Sequence, residues 1–305
     1  MKRKDLLKKL GYTIPQEAIR KVFIDTDFLN EADDPYALLH YIMSPTIEIM
    51  GVGSTYYYKK KAVDGAKESM YSIRQMLDII DVSDIDVYMG SNVPLDVDNI
   101  ESTEASERII ELAHDGLIYV VCHGALTNLA IALKKEPEIA KNIIAIVNGS
   151  NINKVNRAEF NIYQDIRASQ IVFESDAKII LIPQEVYSKV EVPLSMLKYK
   201  LNKVGPIGKF LFDLMESCNL SDFNKHFLLR TGENWTIGDN ATLAYFLINN
   251  YRGLTEEKRG YTFDKNGIIK IIETDKIFTV FKDIDANFIL NDFFSKLYLL
   301  FRVND

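Results

Sequence analysis

Short Val- and Ile-rich runs alternate with amphipathic stretches five times along the first two-thirds of the chain, and few architectures accommodate that pattern. The runs 21–25, 47–54, 86–90, 117–124, 143–149 and 178–183 read as buried strands, apolar on both faces. The intervening segments 33–43, 60–80, 101–114, 127–135 and 164–174 carry helical periodicity. Repeated strand–helix–strand units imply crossover connections and a mainly parallel sheet covered on both sides. The expected fold is therefore α/β, with a Rossmann-like open sheet. The last third changes character. Helical patterns occupy 193–218 and 221–229, a further helix begins near Asp239 and reaches Asn249, short β segments flank the turn at 264–267, and 285–300 closes as a helix. No Gly/Ser/Pro-rich linker, repeat or low-complexity tract interrupts the pattern, so one domain over 1–305 is expected, with 1–19 as a helical extension.

Charge and composition narrow the function. A net charge of −7 without a basic stripe argues against a nucleic-acid surface. No apolar run approaches the ~18 residues that a membrane span needs. The basic start, Met1 to Lys9, has leucines but no continuous apolar core, and reads as a surface helix in a cytoplasmic protein. Two scattered cysteines, Cys122 and Cys218, make neither a disulfide framework nor a thiolate metal site.

In open parallel sheets, ligands sit beyond the carboxyl ends of the strands, near the switch in strand order. That rule selects the loops 25–34, 54–58, 90–91, 123–128 and 149–153. In the first of them, Asp25, Asp27, Glu31, Asp33 and Asp34 fall within ten residues, and the segment contains no Lys or Arg. Five carboxylates in a low-dielectric loop repel one another unless a cation compensates them, and a hard ion with oxygen ligands suits that donor set. Asp33-Asp34-Pro35 also fits a helix start, but capping needs only one carboxylate.

Strand-Asp25-Thr26-Asp27 followed by Asp33-Asp34 and an apolar helix resembles the opening motif of the inosine-uridine preferring nucleoside hydrolases. The likeness continues. His123-Gly-Ala-Leu-Thr127-Asn128-Leu-Ala-Ile-Ala-Leu is similar to the family's second signature, Asn153 with Ala158-Glu159-Phe160-Asn161 to its ribose-binding segment, and Gly238-Asp239 to its His-Asp pair. These motifs stand in the family's order across about 20–300. The resemblance implies Ca2+ held by Asp27, Asp34, Asp239 and the backbone carbonyl of Thr127. It also implies ribose hydroxyls fixed by Asp33, Asn153, Glu159 and Asn161, with Asp27 as the base that takes a proton from water. The implied reaction is hydrolysis of the N-glycosidic bond of a ribonucleoside by a homodimer or homotetramer. Cleavage of another N-riboside, or calcium and ribose binding without chemistry, are the alternatives.

Three departures bear on the substrate. Five residues, Phe28 to Ala32, separate Asp27 from the Asp pair, where the family usually has Pro-Gly and one more; Asn30 and Glu31 thus become candidates for the site. Gly238 replaces a histidine that assists the leaving base in many members, and Tyr56-Tyr57-Tyr58 stands where an asparagine is common. Other residues carry two readings. Asn153 and Asn161 also suit turns, Glu159 also suits a solvated surface, and Trp235 serves either base stacking or packing. Tyr56–Tyr58 either line the base pocket or edge a strand. Cys122 beside His123 reads as a buried inert thiol, since strand neighbours face opposite sides. His226 is the nearest substitute for the absent histidine.

Overall fold

The computed structural model describes residues 1–57, 64–153, 157–221, 232–248, 254–257, 260–272 and 275–303. In chain order its helices are α1 (Arg3–Leu7), α2 (Asp34–Ile42), α3 (Gly65–Ile79), α4 (Glu104–His114), α5 (Thr127–Lys135), α6 (Phe160–Gln164), α7 (Ile166–Glu174), α8 (Gln184–Tyr187), α9 (Leu194–Leu201), α10 (Gly205–Leu220), α11 (Ala244–Leu247) and α12 (Ala286–Phe301). The strands are β1 (Arg20–Thr26), β2 (Ile47–Ser54), β3 (Val87–Tyr88), β4 (Ile118–Cys122), β5 (Ile143–Asn148), β6 (Lys178–Ile182), β7 (Glu191–Pro193), β8 (Asn234–Thr236), β9 (Leu254–Glu257), β10 (Gly260–Phe263), β11 (Ile269–Ile272) and β12 (Phe278–Phe281).

The main sheet runs β3-β2-β1-β4-β5-β6-β12-β9, parallel from β3 to β12, with β9 antiparallel on the edge. The expected α/β architecture is present. Side chains alternate along each central strand, and both faces are apolar. Val22, Ile24, Val121, Ile146 and Ile180 join one core; Phe23, Val120, Ala145 and Ile179 join the other. The chain winds outward from β1 in one direction through β2 and β3, then in the other from β4. The strand order therefore switches between β1 and β4, where the ends of two adjacent strands open a crevice.

Several expectations change in detail. The pattern at 164–174 begins instead as α6 and breaks at Asp165 (φ −147°, ψ 85°), whose carboxylate caps α7 by accepting the Ala168 N–H. The helix expected from Asp239 is a 3-10 turn, Gly238–Leu243, followed by α11; Asn249 lies outside the described residues. The 221–229 helix lies outside them from residue 222, and so does the 60–63 start of the helix expected at 60–80. The β7–β8 ribbon and edge strand β9 have three or four residues each, too few for periodicity to reveal.

The N-terminal segment does more than lie on the surface. Leu6 and Leu10 enter the core, and the Arg3 guanidinium donates to the carbonyls of Tyr41 (3.2 Å), Ile42 (2.8 Å), Ser44 (2.7 Å) and Ile47 (2.7 Å). The end of α2 and its turn into β2 thus find donors for carbonyls that a helix terminus leaves unpaired. Removing that fork orphans several partly buried acceptors at about 1–3 kcal/mol each, partly offset by water. In chemical denaturation Arg3→Met should lose about 2–4 kcal/mol. Arg3→Lys should recover less than half, because an ammonium cannot reproduce the fork.

Candidate active site

A cavity of about 580 Å³ opens at the switch point. The loop after β1 and the start of α2 bring Asp27, Asn30, Glu31, Asp33 and Asp34 to its wall; β4 brings His123, β5 Asn148, the start of α6 Glu159 and Asn161, and the turn after β8 Asp239. Thus the two residues left open by the longer loop, Asn30 and Glu31, both reach the site.

Asp27 is buried, and Gln164 Nε2 donates to its Oδ2 at 3.0 Å. Burial, reinforced by the charges of Asp33 and Glu31, pushes its carboxyl up to about 8. Burial raises Asp33, Asp34 and Asp239 well above the usual carboxylate range, and mutual repulsion adds to it. Few bonds offset this: Thr26 Oγ1 donates to Asp34, Asn148 Nδ2 to Asp239 (2.7 Å), and the Asp239 N–H to Asp33 (3.4 Å). Asp33 holds the N-cap position of α2 without a side-chain capping bond, so capping does not explain it. Asp25 does not line the cavity; Asn128 Nδ2 binds both its oxygens (2.9 and 3.2 Å) as well as the Ser54 carbonyl, tying β1, β2 and α5 together. Gly124 permits the β4 loop to close on this group, since a Cβ there would lie 2.9 Å from Asp27 Cγ.

His123 is buried and pushed down to about 3, so it is neutral. Its tautomer follows from Thr242, whose hydroxyl has one proton. Thr242 Oγ1 donates to the Asp239 carbonyl (2.7 Å) and therefore accepts from Tyr41 Oη and from His123 Nε2, both at 2.9 Å. Nδ1 of His123 carries the lone pair and has no hydrogen-bond partner. A ring nitrogen of His123 and carboxylate oxygens of Asp34 and Asp239 lie within 4.8 Å of one another.

Glu159 caps α6: its Oε2 accepts the N–H groups of Ser150, Asn161 and Ile162, and its Oε1 accepts Tyr187 Oη at 2.9 Å. It is buried, which removes the solvated reading. Asn161 Nδ2 donates to the His123 and Asn148 carbonyls (2.9 and 3.0 Å), bracing two strand ends. Thr127 opens α5 with its hydroxyl on Asp165 (2.7 Å) and does not line the cavity. Asn153 is exposed, with its N–H on Glu185; Trp235 is buried in β8 opposite Val192, and neither lines the cavity. Tyr56 and Tyr57 bond Gln164 O and Glu68, away from the wall, while Tyr58 and His226 lie outside the described residues. Cys122 is buried with its thiol pushed up, the inert reading. Sequence reasoning missed Asn148, Gln164 and Tyr187. A polar residue closing the apolar β5 run was a usable signal for Asn148; isolated Gln164 and Tyr187 offered none.

A family model described as inosine-uridine preferring nucleoside hydrolase matches residues 22–289. The chain belongs to that family. It is accordingly a hydrolase of N-glycosyl bonds. A pyrimidine-specific ribonucleoside hydrolase, RihB, of Escherichia coli is 26% identical over 236 residues, covering 68% of this chain and 73% of the relative. The solved purine-preferring ribonucleoside hydrolase of Gardnerella vaginalis superposes with a TM-score of 0.76 at 21% identity, over 92% of this chain and 99% of that one. The type III effector XopQ, solved with adenosine diphosphate ribose, reaches 0.69 at 12% identity, over 98% and 99%. Both structures share the nucleoside hydrolase fold.

The donor set fits a divalent cation, because the buried carboxylates of Asp34 and Asp239 converge with a ring nitrogen of His123, whose Nδ1 has no hydrogen-bond partner. Without the ion these groups strain the fold. A carboxyl raised by burial contributes stability that is present below its unfolded value, near 3.8, and lost as pH rises through the folded value, about 8 for Asp27. Asp34→Asn keeps an acceptor for Thr26 and removes one charge. It should raise the melting temperature of chelated protein by about 2 °C or more, with the larger gain at pH 9 than at pH 6, and abolish the metal-induced rise. Calorimetric melts with and without chelator check this.

Proposed function

We propose that this nucleoside hydrolase family member cleaves the N-glycosidic bond of neutral ribonucleosides with Asp27 as general base, beside a divalent cation that Asp27, Asp34 and Asp239 would hold; the Thr127 carbonyl that the family's pattern adds belongs to a residue outside the cavity wall. The carrying observation is the convergence of buried, electrostatically strained carboxylates on one cavity at the switch point. The family's pattern gives the ion as Ca2+; when bound, it supplies positive charge that orients water and ribose oxygens and favours deprotonation.

The chain's own groups supply the rest. Gln164 fixes one oxygen of Asp27 and so orients the carboxylate that takes the proton from water. Asp33, Glu159 and Asn161 hold the ribose hydroxyls, with Glu159 itself locked by Tyr187 and three backbone N–H groups. Attack on the anomeric carbon passes through an oxocarbenium-like transition state, which this acidic wall stabilises. The same wall discriminates. Asp27, Glu31, Asp33, Asp34, Glu159 and Asp239 face the cavity against a single cation among the described residues, Arg157, so a phosphorylated riboside meets net repulsion. The proposed setting is cytoplasmic; no helix among the described residues is long and apolar enough to cross a membrane.

Asp27→Asn should lower kcat by two or more decades while ribose affinity changes by only a few-fold, as expected of a positioned base. Steady-state kinetics alongside ribose titration reads this, and an unchanged kcat would remove Asp27 from the role.

The leaving base meets no histidine at 238. A Cβ there would lie 2.8 Å from Tyr187 Cδ2, so the phenol ring fills the space beside Gly238, and its hydroxyl is committed to Glu159. Turnover should therefore follow leaving-group quality. Cleavage of p-nitrophenyl riboside should exceed that of inosine and uridine by more than about tenfold in kcat/KM, roughly 1.4 kcal/mol of barrier. Equal rates on all three would show an acid at the leaving group.

A further inference from the structure

We infer that His123 Nδ1 is a metal ligand, and that it turns an all-oxygen site into a mixed nitrogen–oxygen site that holds borderline transition ions more tightly than Ca2+. The inference rests on the cation dependence proposed above but names a residue and a selectivity that the proposal does not contain. Three observations carry it. The ring is 2% exposed and lines the acidic cavity, so its environment is the site and not solvent. Nε2 is consumed by Thr242, whose hydroxyl is saturated by Tyr41 and the Asp239 carbonyl, so the ring cannot exchange its tautomer without breaking that chain. Nδ1 is buried with no hydrogen-bond partner, and a ring nitrogen falls within 4.8 Å of carboxylate oxygens of both Asp34 and Asp239.

A buried acceptor left unsatisfied is costly, and packing alone does not require a histidine at the end of β4. The arrangement matches the way proteins prepare a histidine for metal: the nitrogen away from the ion donates to a fixed acceptor, which sets the tautomer and the ring plane. Here the acceptor is Thr242, itself tied to the backbone of Asp239, so two proposed ligands are oriented by one hydroxyl. His123 is also pinned through its main chain, its N–H on the Asp25 carbonyl (2.8 Å) and its carbonyl under Asn161. Asn148 Oδ1, buried and unpartnered beside the same carboxylates, adds an oxygen donor while its Nδ2 holds Asp239. Imidazole gives little to Ca2+, which prefers hard oxygen, and much to Co2+ or Zn2+.

The test uses the full-length protein, stripped with chelator and titrated with CoCl2, ZnCl2 and CaCl2 by calorimetry, with Co2+ absorption as a second signal. Wild type should bind Co2+ and Zn2+ at least about tenfold more tightly than Ca2+. His123→Gln should weaken Co2+ and Zn2+ by about 10- to 100-fold and Ca2+ by less than about threefold. Equal loss for all three ions, or Ca2+ binding tightest in wild type, overturns the inference. Proton NMR of the wild-type Co2+ complex needs no variant. It should show one exchangeable, paramagnetically shifted imidazole proton, the retained Nε2–H, lost in D2O; its absence counts against the ligand. Because these readouts need no substrate, nucleoside cleavage with Ca2+-selective binding sinks only this inference. Transition-ion binding through His123 without any cleavage sinks only the proposed reaction.

Discussion

Everything at the switch point is arranged around the burial of negative charge. Asp27, Asp33, Asp34 and Asp239 line one cavity, each driven toward protonation by desolvation before the others' charges are counted. A fold tolerates this only if something else gains. The sheet and its two apolar cores supply the rigidity: β1 and β4 lie side by side in parallel, and Asn128 and Asn161 stitch their ends to neighbouring strands through carbonyl contacts. The strain is local, and the groups that bear it are those an ion or a ribose would relieve.

Much of this was legible in the chain. The central strands announce themselves because parallel strands buried on both faces must be continuously apolar, and the runs at Ile143–Asn148 and Lys178–Ile182 have no other use. Charge density marked the loop after β1, since five carboxylates without a basic neighbour cannot be a solvated accident inside such a sheet. What escaped notice had no period or density to betray it. The break between α6 and α7 depends on one Asp165 side chain turning back to cap. Gln164 and Tyr187 act singly, through a side-chain bond to Asp27 or Glu159 that only three-dimensional proximity creates. Asn153 and Trp235 show the converse: one sits at a motif position and the other just before one, yet local backbone routing leaves the first at the surface and the second in a ribbon.

Support for the site reaches far along the chain. Arg3, remote in sequence, closes the carboxyl end of α2, the helix whose amino end presents two of the four carboxylates, Asp33 and Asp34. Thr242 works similarly, setting one histidine's tautomer and one aspartate's backbone through a single hydroxyl. Fixing donors before a ligand arrives reduces the entropy lost on binding, which is the physical value of such bracing.

The contact between Gly238 and Tyr187 constrains how this chain can change over generations. Any side chain at 238 would enter the phenol ring, and shrinking the ring alone would release Glu159 from its hydroxyl partner. Each single substitution therefore costs packing or a hydrogen bond unless the other accompanies it. The two positions are coupled, and a histidine at 238 calls for a smaller side chain at 187 as well.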